Sequence, residues 1–422
     1  MTVVKSHIRM QKFSTKHLKS VTDFKTSDGT NSLLACKMSN CGIGTDGLHT
    51  TGKFVKVNDK QVISACVCDG VLYTTSGYDV CAIDSEGNCK ELLTFKNYQG
   101  KDCCLYGDSL HKKVVFSGIG GVYFTDGTTG NADSELYDRK MSAIAFAENR
   151  IVGAADNTVY VSDAMSSTFV ANDKPTTAAT FSVGDTVTAL CGVNNDVYVF
   201  AERNMYKITV GYAPTDFMFV REAANIGTVR FAVFYRNKMY CFCDEGLRTT
   251  DNGVKTIAIP GKALPQSNCQ PIVWRDRIVF ADGTDIVMFD PQSGHVDIVA
   301  LSARDLAVVG DELYAVSDYR LYKYDETKSA CGTFVSTPYD FGNDDVKSLR
   351  AAILSGCGRV NMSVIKDGVV CANHDVTLVD GKTRRLPCYG TGRDFVVRLS
   401  TRDGAKVRSL TLQADFVRIN KR

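Results

Sequence analysis

Sixteen cysteines and six histidines are the side chains of this 422-residue chain best suited to hold a metal or attack a substrate. Their spacing argues against both roles. Cys66 and Cys68 alternate along one short apolar run, as do Cys241 and Cys243, so each pair points to one face of a strand. Cys103 and Cys104 are neighbours and point to opposite faces. None of the cysteines has the paired Cys-x-x-Cys spacing of a zinc site. Reduced, buried thiols acting as small hydrophobes in a reducing cytoplasm are the expectation. The histidines run from His7 to His374 without a cluster of the metal or triad type. There is no Gly-x-x-x-x-Gly-Lys-Ser/Thr loop, no Gly-x-Ser-x-Gly elbow and no His-Glu-x-x-His motif. Gly118-Ile119-Gly120-Gly121 is rich in glycine but joins two strands instead of opening a helix, which does not suit a phosphate cradle. The chain is expected to have no catalytic residue, no cofactor and no metal, and not to be an enzyme.

The elements around these residues repeat. Seven times, at roughly 40-residue spacing, an apolar strand leads through a tight polar turn to a second, aromatic-bearing strand and then a third. The first-strand and turn segments are Val62–Gly70, Cys103–Asp108, Met141–Arg150, Thr186–Asp196, Thr228–Asn237, Gln270–Asp276 and Asp305–Asp311. Runs rich in Val, Ile, Tyr and Phe suit a half-buried pleated surface. Asp69-Gly70, Asn194-Asn195 and Asp282-Gly283 suit tight turns between antiparallel strands. Such units bury their faces only when arranged radially, so the fold class is all-β, a β-propeller of about seven blades, with six a second possibility. Six units end near an aspartate: Asp84, Asp126, Asp163, Asp251, Asp290 and Asp325. These are expected to accept hydrogen bonds from turn amides. The fourth unit departs and runs on as Thr209-Val210. Thr249-Thr250-Asp251-Asn252-Gly253 resembles the Asp-box turn of sialidase-like propellers, without its closing aromatic, and in those families the box is a structural turn. The recurring Gly-His and Trp-Asp steps of WD repeats are absent, and Trp274 is the one tryptophan.

Three regions are expected: an N-terminal arm over 1–60, the propeller over 61–335 and a C-terminal antiparallel sandwich-like module over 336–422. The arm is polar and glycine-rich, with Cys41-Gly42-Ile43-Gly44-Thr45-Asp46-Gly47-Leu48 too irregular for a long element. The segment Ser336–Gly342 marks the second boundary, and the repeat stops there. Beyond it, alternating runs predict strands at Leu349–Leu354, Val360–Ile365, Val369–Cys371, Val376–Val379, Phe395–Leu399 and Val407–Leu412. Lys366-Asp367-Gly368 and Arg402-Asp403-Gly404 read as hairpin turns. The basic stretches Lys382-Thr383-Arg384-Arg385 and Arg418–Arg422 read as a solvated turn and a frayed end, the sharper reading being contact with phosphates or an acidic neighbour. A net charge of +2 implies no bulk attraction to nucleic acid or membrane. Neither a membrane-spanning run nor a signal-peptide core is expected.

The module order, with Phe181–Leu190 leading to Val197-Tyr198-Val199-Phe200, then Met205-Tyr206-Lys207-Ile208, Ile226–Arg230 and Ser336–Gly342, resembles tail nozzle or DNA-stabilisation ring (collar) proteins of tailed bacteriophages. The expected arginine-proline-glycine step of the arm is replaced by Thr50-Thr51-Gly52-Lys53-Phe54. The resemblance implies a structural virion protein that forms a homo-oligomeric ring, a hexamer in such families. It would extend the DNA channel, retain packaged genome, contact portal or adaptor proteins and carry fibres or spikes. It would reside in the virion tail after assembly in the host bacterial cytoplasm. Two other classes stand beside it: a host-facing tail or adhesin-like propeller that binds surface glycan or protein, and a sialidase- or lyase-type propeller enzyme. Exposed aromatics on one loop face would favour the former, and a set of acidic residues around the central channel the latter.

Overall fold

The computed structural model describes residues 35–94 and 141–416, apart from 45–46, 77–78, 149, 165–177, 225, 251–252 and 341–345. It also describes the strands Phe13–Ser14, Cys104–Asp108, Lys113–Gly118, Gly121–Thr125 and Gly130–Ala132. Among the described residues, one 3-10 turn, Pro214–Asp216, is the sole helical element, and no helix is long and apolar enough to cross a membrane. The fold is all-β and of the β-propeller type. Six four-stranded antiparallel sheets stand apart, and a further run of four strands, Ile272–Trp274, Arg277–Ala281, Ile286–Phe289 and Val296–Val299, belongs to a thirteen-stranded sheet. Within each unit except the one that begins at Asp305 the strands follow one another as a meander. First strands of neighbouring units lie side by side, as Ser64–Cys68 does with both Cys104–Asp108 and Asp305–Val309.

The turns follow from the residues that occupy them. Two-residue hairpins place Asp69 at φ 49° and Gly70 at φ 73°, and Asp367 at φ 48° and Gly368 at φ 77°. These are the left-handed values that match the twist of the flanking strands. The same geometry occurs without glycine at Arg236-Asn237, Arg275-Asp276 and Asp318-Tyr319, each with one Asn or Asp, the residue types that best tolerate it.

The boundary expected at residue 60 is corrected. Lys53–Lys56 is the fourth strand of the unit that begins at Asp305, pairing Phe54 with Tyr324 and Lys53 with Asp325. The start of the propeller thus completes its last unit. Phe54 is buried and packs on the Tyr324 ring at 5.2 Å, while Lys53 faces outward on the sheet edge. A four-residue strand with one apolar anchor gives almost no periodic signal, which is why it reads as arm. Cys41–Gly44 and Gly47–Thr50 are also strands, extending the sheet outward from Val296–Val299.

The C-terminal strands are corrected as well. Leu349–Leu354 and Val360–Ile365 are parts of one strand, Lys347–Lys366. Phe395–Leu399 and Val407–Leu412 fall largely within another, Val396–Phe416, whose Arg402-Asp403-Gly404 segment is an internal bulge instead of a hairpin. The long strands bend where they pass each other. A Cβ on Gly356 would lie 2.0 Å from the Lys406 carbonyl oxygen, and one on Gly358 2.7 Å from the Ala405 Cα. Glycine at both positions lets the bulge nest against its partner. Thr383-Arg384-Arg385, expected within a solvated turn, instead opens an edge strand, Thr383–Gly392, paired to the first half of Lys347–Lys366. Pro387 and two arginines hid it, and such residues are tolerated on a sheet edge. One core cluster spans both regions, joining Phe242, Phe280 and Ile298 to Leu354, Met362, Phe395 and Leu412.

Gly358→Ala is expected to cost about 3 kcal/mol or more, since it adds a steric clash to φ 89° strain. Gly368→Ala, at φ 77° with open space around it, is expected to cost roughly 1 kcal/mol. Denaturant midpoints of the two variants check this; equal losses would contradict the nested bulge.

Candidate functional site

Two places gather polar side chains with defined geometry. The first lies where the thirteen-stranded sheet leaves the propeller. Three adjacent strands run Val296–Val299, Cys41–Gly44 and Gly47–Thr50, with Gly42 paired to Asp297 on one side and to His49 on the other. Asp297 and His49 are thus two strands apart, about 10 Å between backbones. Their side chains nevertheless meet over Gly42, His49 Nε2 standing 2.9 Å from Asp297 Oδ1. They meet because the intervening residue has no side chain. A Cβ on Gly42 would fall 1.7 Å from Asp297 Oδ1 and 2.6 Å from His49 Nε2.

His295 joins from the start of the same outer strand, with Nε2 3.3 Å from the same oxygen. A Cβ on Gly44 would reach to 3.0 Å from its ring. The two imidazoles meet edge to face, with centroids 5.3 Å apart. Arg277 Nη1 donates to the other carboxylate oxygen, Oδ2, at 2.5 Å. Asp297 is buried, and burial opposes its charge. The adjacent His295 ring, the hydrogen bond with His49 and the positive Arg277 nearby outweigh that and hold its carboxyl far below the usual carboxylate range. The histidines that look scattered in sequence are therefore corrected here: His49, His295 and Asp297 form a compact donor set. A glycine at alternate positions of a short strand, Gly42 and Gly44, is the only local trace of it in the sequence.

The second place is a cavity of about 460 Å³ bordered by the first strands of several units, including Ala65, Ile144, Leu190, Phe231, Arg304 and Asp305. Asp305 accepts hydrogen bonds from Ser64 Oγ at 2.6 Å and from the Ala65 amide at 2.9 Å, tying the last unit to the first. Burial pushes Asp305 up to about 6, against these hydrogen bonds and the nearby Arg304. Arg230, also on the lining, is paired with Asp244 at 2.6 Å. Asp305 is the one carboxylate among the described lining residues.

The aspartates predicted to serve turns do so at three described positions. Asp84 accepts from the amides of Glu86 and Asn88, Asp290 from that of Gln292, and Asp325 from that of Thr327. Asp126 and Asp251 lie outside the described residues, and with Asp251 the centre of the Asp-box-like turn. At Asp163 the backbone carbonyl accepts from Ser162 Oγ. In the divergent fourth unit, Thr209 Oγ1 instead donates to Asp196 Oδ1 at 2.6 Å. Gly118 pairs with Gly121, so that glycine-rich step joins two antiparallel strands. The thiols of Cys41 and Cys191 are pushed up to about 12 by burial and stay neutral at physiological pH.

No family model and no curated protein matches the chain. Among solved structures, it is similar to the Neurospora crassa Pan2 WD40 domain at 12% identity, covering 69% of this chain and 97% of that one, with a TM-score of 0.47. It is also similar to virginiamycin B lyase from Staphylococcus aureus at 11% identity, covering 64% and 98%, with a TM-score of 0.48. For BamB from Moraxella catarrhalis the identity is 14%, the coverage 69% and 97%, and the TM-score 0.41. These are likenesses of fold.

Asp305 binds its proton more tightly in the folded protein than in the unfolded chain, so its stabilising contribution is present at acid pH and lost as pH rises through about 6. Asp305→Asn removes that loss. Its melting temperature relative to wild type is expected to climb between about pH 4 and about pH 7, measured by differential scanning fluorimetry. A difference independent of pH would contradict it.

Proposed function

We propose that this protein is a non-catalytic building block of a tailed-phage virion, a subunit of a tail nozzle or collar ring. The four-strand run Ile272–Val299, counted with the six separate sheets, makes a seven-bladed propeller in this reading. The C-terminal strands are its assembly module. The propeller is the rigid body, and the ring's axial channel is the path for DNA. Portal or adaptor proteins and fibres or spikes are the neighbours.

The observation that carries the proposal is the continuity of the thirteen-stranded sheet. One propeller unit runs on through Cys41–Gly44 and Gly47–Thr50 into Val396–Phe416, so the C-terminal strands are hydrogen-bonded to the propeller instead of tethered to it. Beyond them, Val369–Leu378 and Thr383–Gly392 each pair with Lys347–Lys366 alone. Exposed apolar side chains sit along and beside them: Val369 at 68%, Val370 at 54% and Tyr389 at 71%. A stiff projection with an apolar, partly unpaired border suits the heterologous side-to-side contacts that close a ring. The near-neutral net charge fits a lumen through which DNA slides without sticking.

Electron microscopy of the purified full-length chain is expected to give closed rings with an axial channel. Val370→Asp with Tyr389→Ser is expected to yield monomers that keep the wild-type circular dichroism spectrum. A wild-type protein that remains monomeric at high concentration would overturn the proposal.

A further inference from the structure

We propose that His49, His295 and Asp297 bind one borderline divalent transition-metal ion, with Zn²⁺ the best match, at the junction of the propeller and the C-terminal sheet. This site is independent of the ring assignment.

The donor set fits the ion. Two imidazole nitrogens and one carboxylate oxygen are a common three-ligand complement for zinc, with a further position open to solvent. Zinc bonds to such ligands are about 2.0–2.1 Å, so neighbouring corners of a tetrahedral site are separated by about 3.4 Å. Here His49 Nε2 and His295 Nε2 stand 2.9 Å and 3.3 Å from Asp297 Oδ1, and all three donor atoms lie within 4.8 Å of one another. Small movements of the side chains alone bring them onto one ion.

The setting is built for this convergence. His295 Nε2 is shielded from solvent and makes no hydrogen bond of good geometry, which leaves its lone pair or proton unsatisfied. A bound cation satisfies it. Arg277 holds the carboxylate by its other oxygen, Oδ2, and so orients Oδ1 toward the imidazoles. Its positive charge opposes the ion, which limits affinity but leaves the ligand geometry intact. Gly42 and Gly44 clear the space above the middle strand, and a methyl group at residue 42 would occupy the position of the carboxylate oxygen itself.

The mechanical consequence is a clamp. His49 and Asp297 are 248 positions apart in sequence and two strands apart in the sheet. One ion bonded to both, and to His295, fixes the strands at the row where the sheet leaves the propeller. Binding to the folded state alone stabilises it in proportion to the logarithm of free metal.

The test uses the full-length protein, treated with chelator and then titrated with ZnCl₂ or CoCl₂. One ion per chain is expected, with a rise in melting temperature for Zn²⁺ and none for Mg²⁺. The Co²⁺ form is expected to show visible bands of low-coordinate nitrogen and oxygen ligation without a thiolate charge-transfer band. That second feature separates this site from adventitious binding to the exposed Cys36 and Cys331. His295→Ala and His49→Ala are each expected to weaken binding by at least the roughly 10–100-fold that follows loss of a group hydrogen-bonded to a metal ligand. Circular dichroism of the metal-free variants verifies their folding. Absence of stoichiometric binding to the wild type, binding unchanged in both folded variants, or a thiolate band would each overturn the proposal.

Discussion

The side-chain-free backbone at Gly42 is the constraint on which the rest of this architecture turns. It sits between two strands whose facing residues are Asp297 and His49, and any side chain there would displace the carboxylate. With glycine in place, a buried acid finds imidazole partners across a full strand and a guanidinium beside it. Without them, Asp297 would be a buried charge with only part of its compensation, a cost of several kcal/mol in general terms. The same strand carries the hydrogen-bond ladder that lengthens a propeller unit into a thirteen-stranded sheet. Local electrostatics and global connectivity therefore meet in one row of residues.

Two further devices make the propeller and its extension a single body. Lys53–Lys56 completes the last unit, and Asp305 reaches from that unit to the first strand of the next. Closure in this form couples sequence-distant segments, so neither end of the ring frays independently. The long C-terminal strands are held by the same apolar cluster that contains Phe242 and Phe280. Burying aromatics of that kind contributes roughly 1.5–3 kcal/mol each. The extension thus rests on a shared core as well as on backbone hydrogen bonds.

Much of the propeller was legible because its strands alternate or run apolar between turn residues with a mechanism. Asp69-Gly70 and Lys366-Asp367-Gly368 adopt the geometry their chemistry favours. Lys53–Lys56 was not legible, since a Phe-Val pair between two lysines carries no period. Thr383–Gly392 was hidden by Pro387 and its arginines, which signal a turn unless the strand is known to lie on an edge. The gap left between Leu349–Leu354 and Val360–Ile365 holds Gly356 and Gly358, which are the bend within one strand. His49 and Asp297 were out of reach for a different reason. Their proximity is a product of sheet order, and sequence spacing holds no record of which strand follows Val296–Val299 across the sheet.

The weld between propeller and extension is tested most directly by native-state hydrogen exchange on the full-length chain. Amides in Val296–Val299, Cys41–Gly44, Gly47–Thr50 and Val396–Phe416 are expected to share one opening free energy and to respond together to mild denaturant. Exchange of Val396–Phe416 at a much lower opening free energy, with Val296–Val299 still protected, would contradict a single welded sheet.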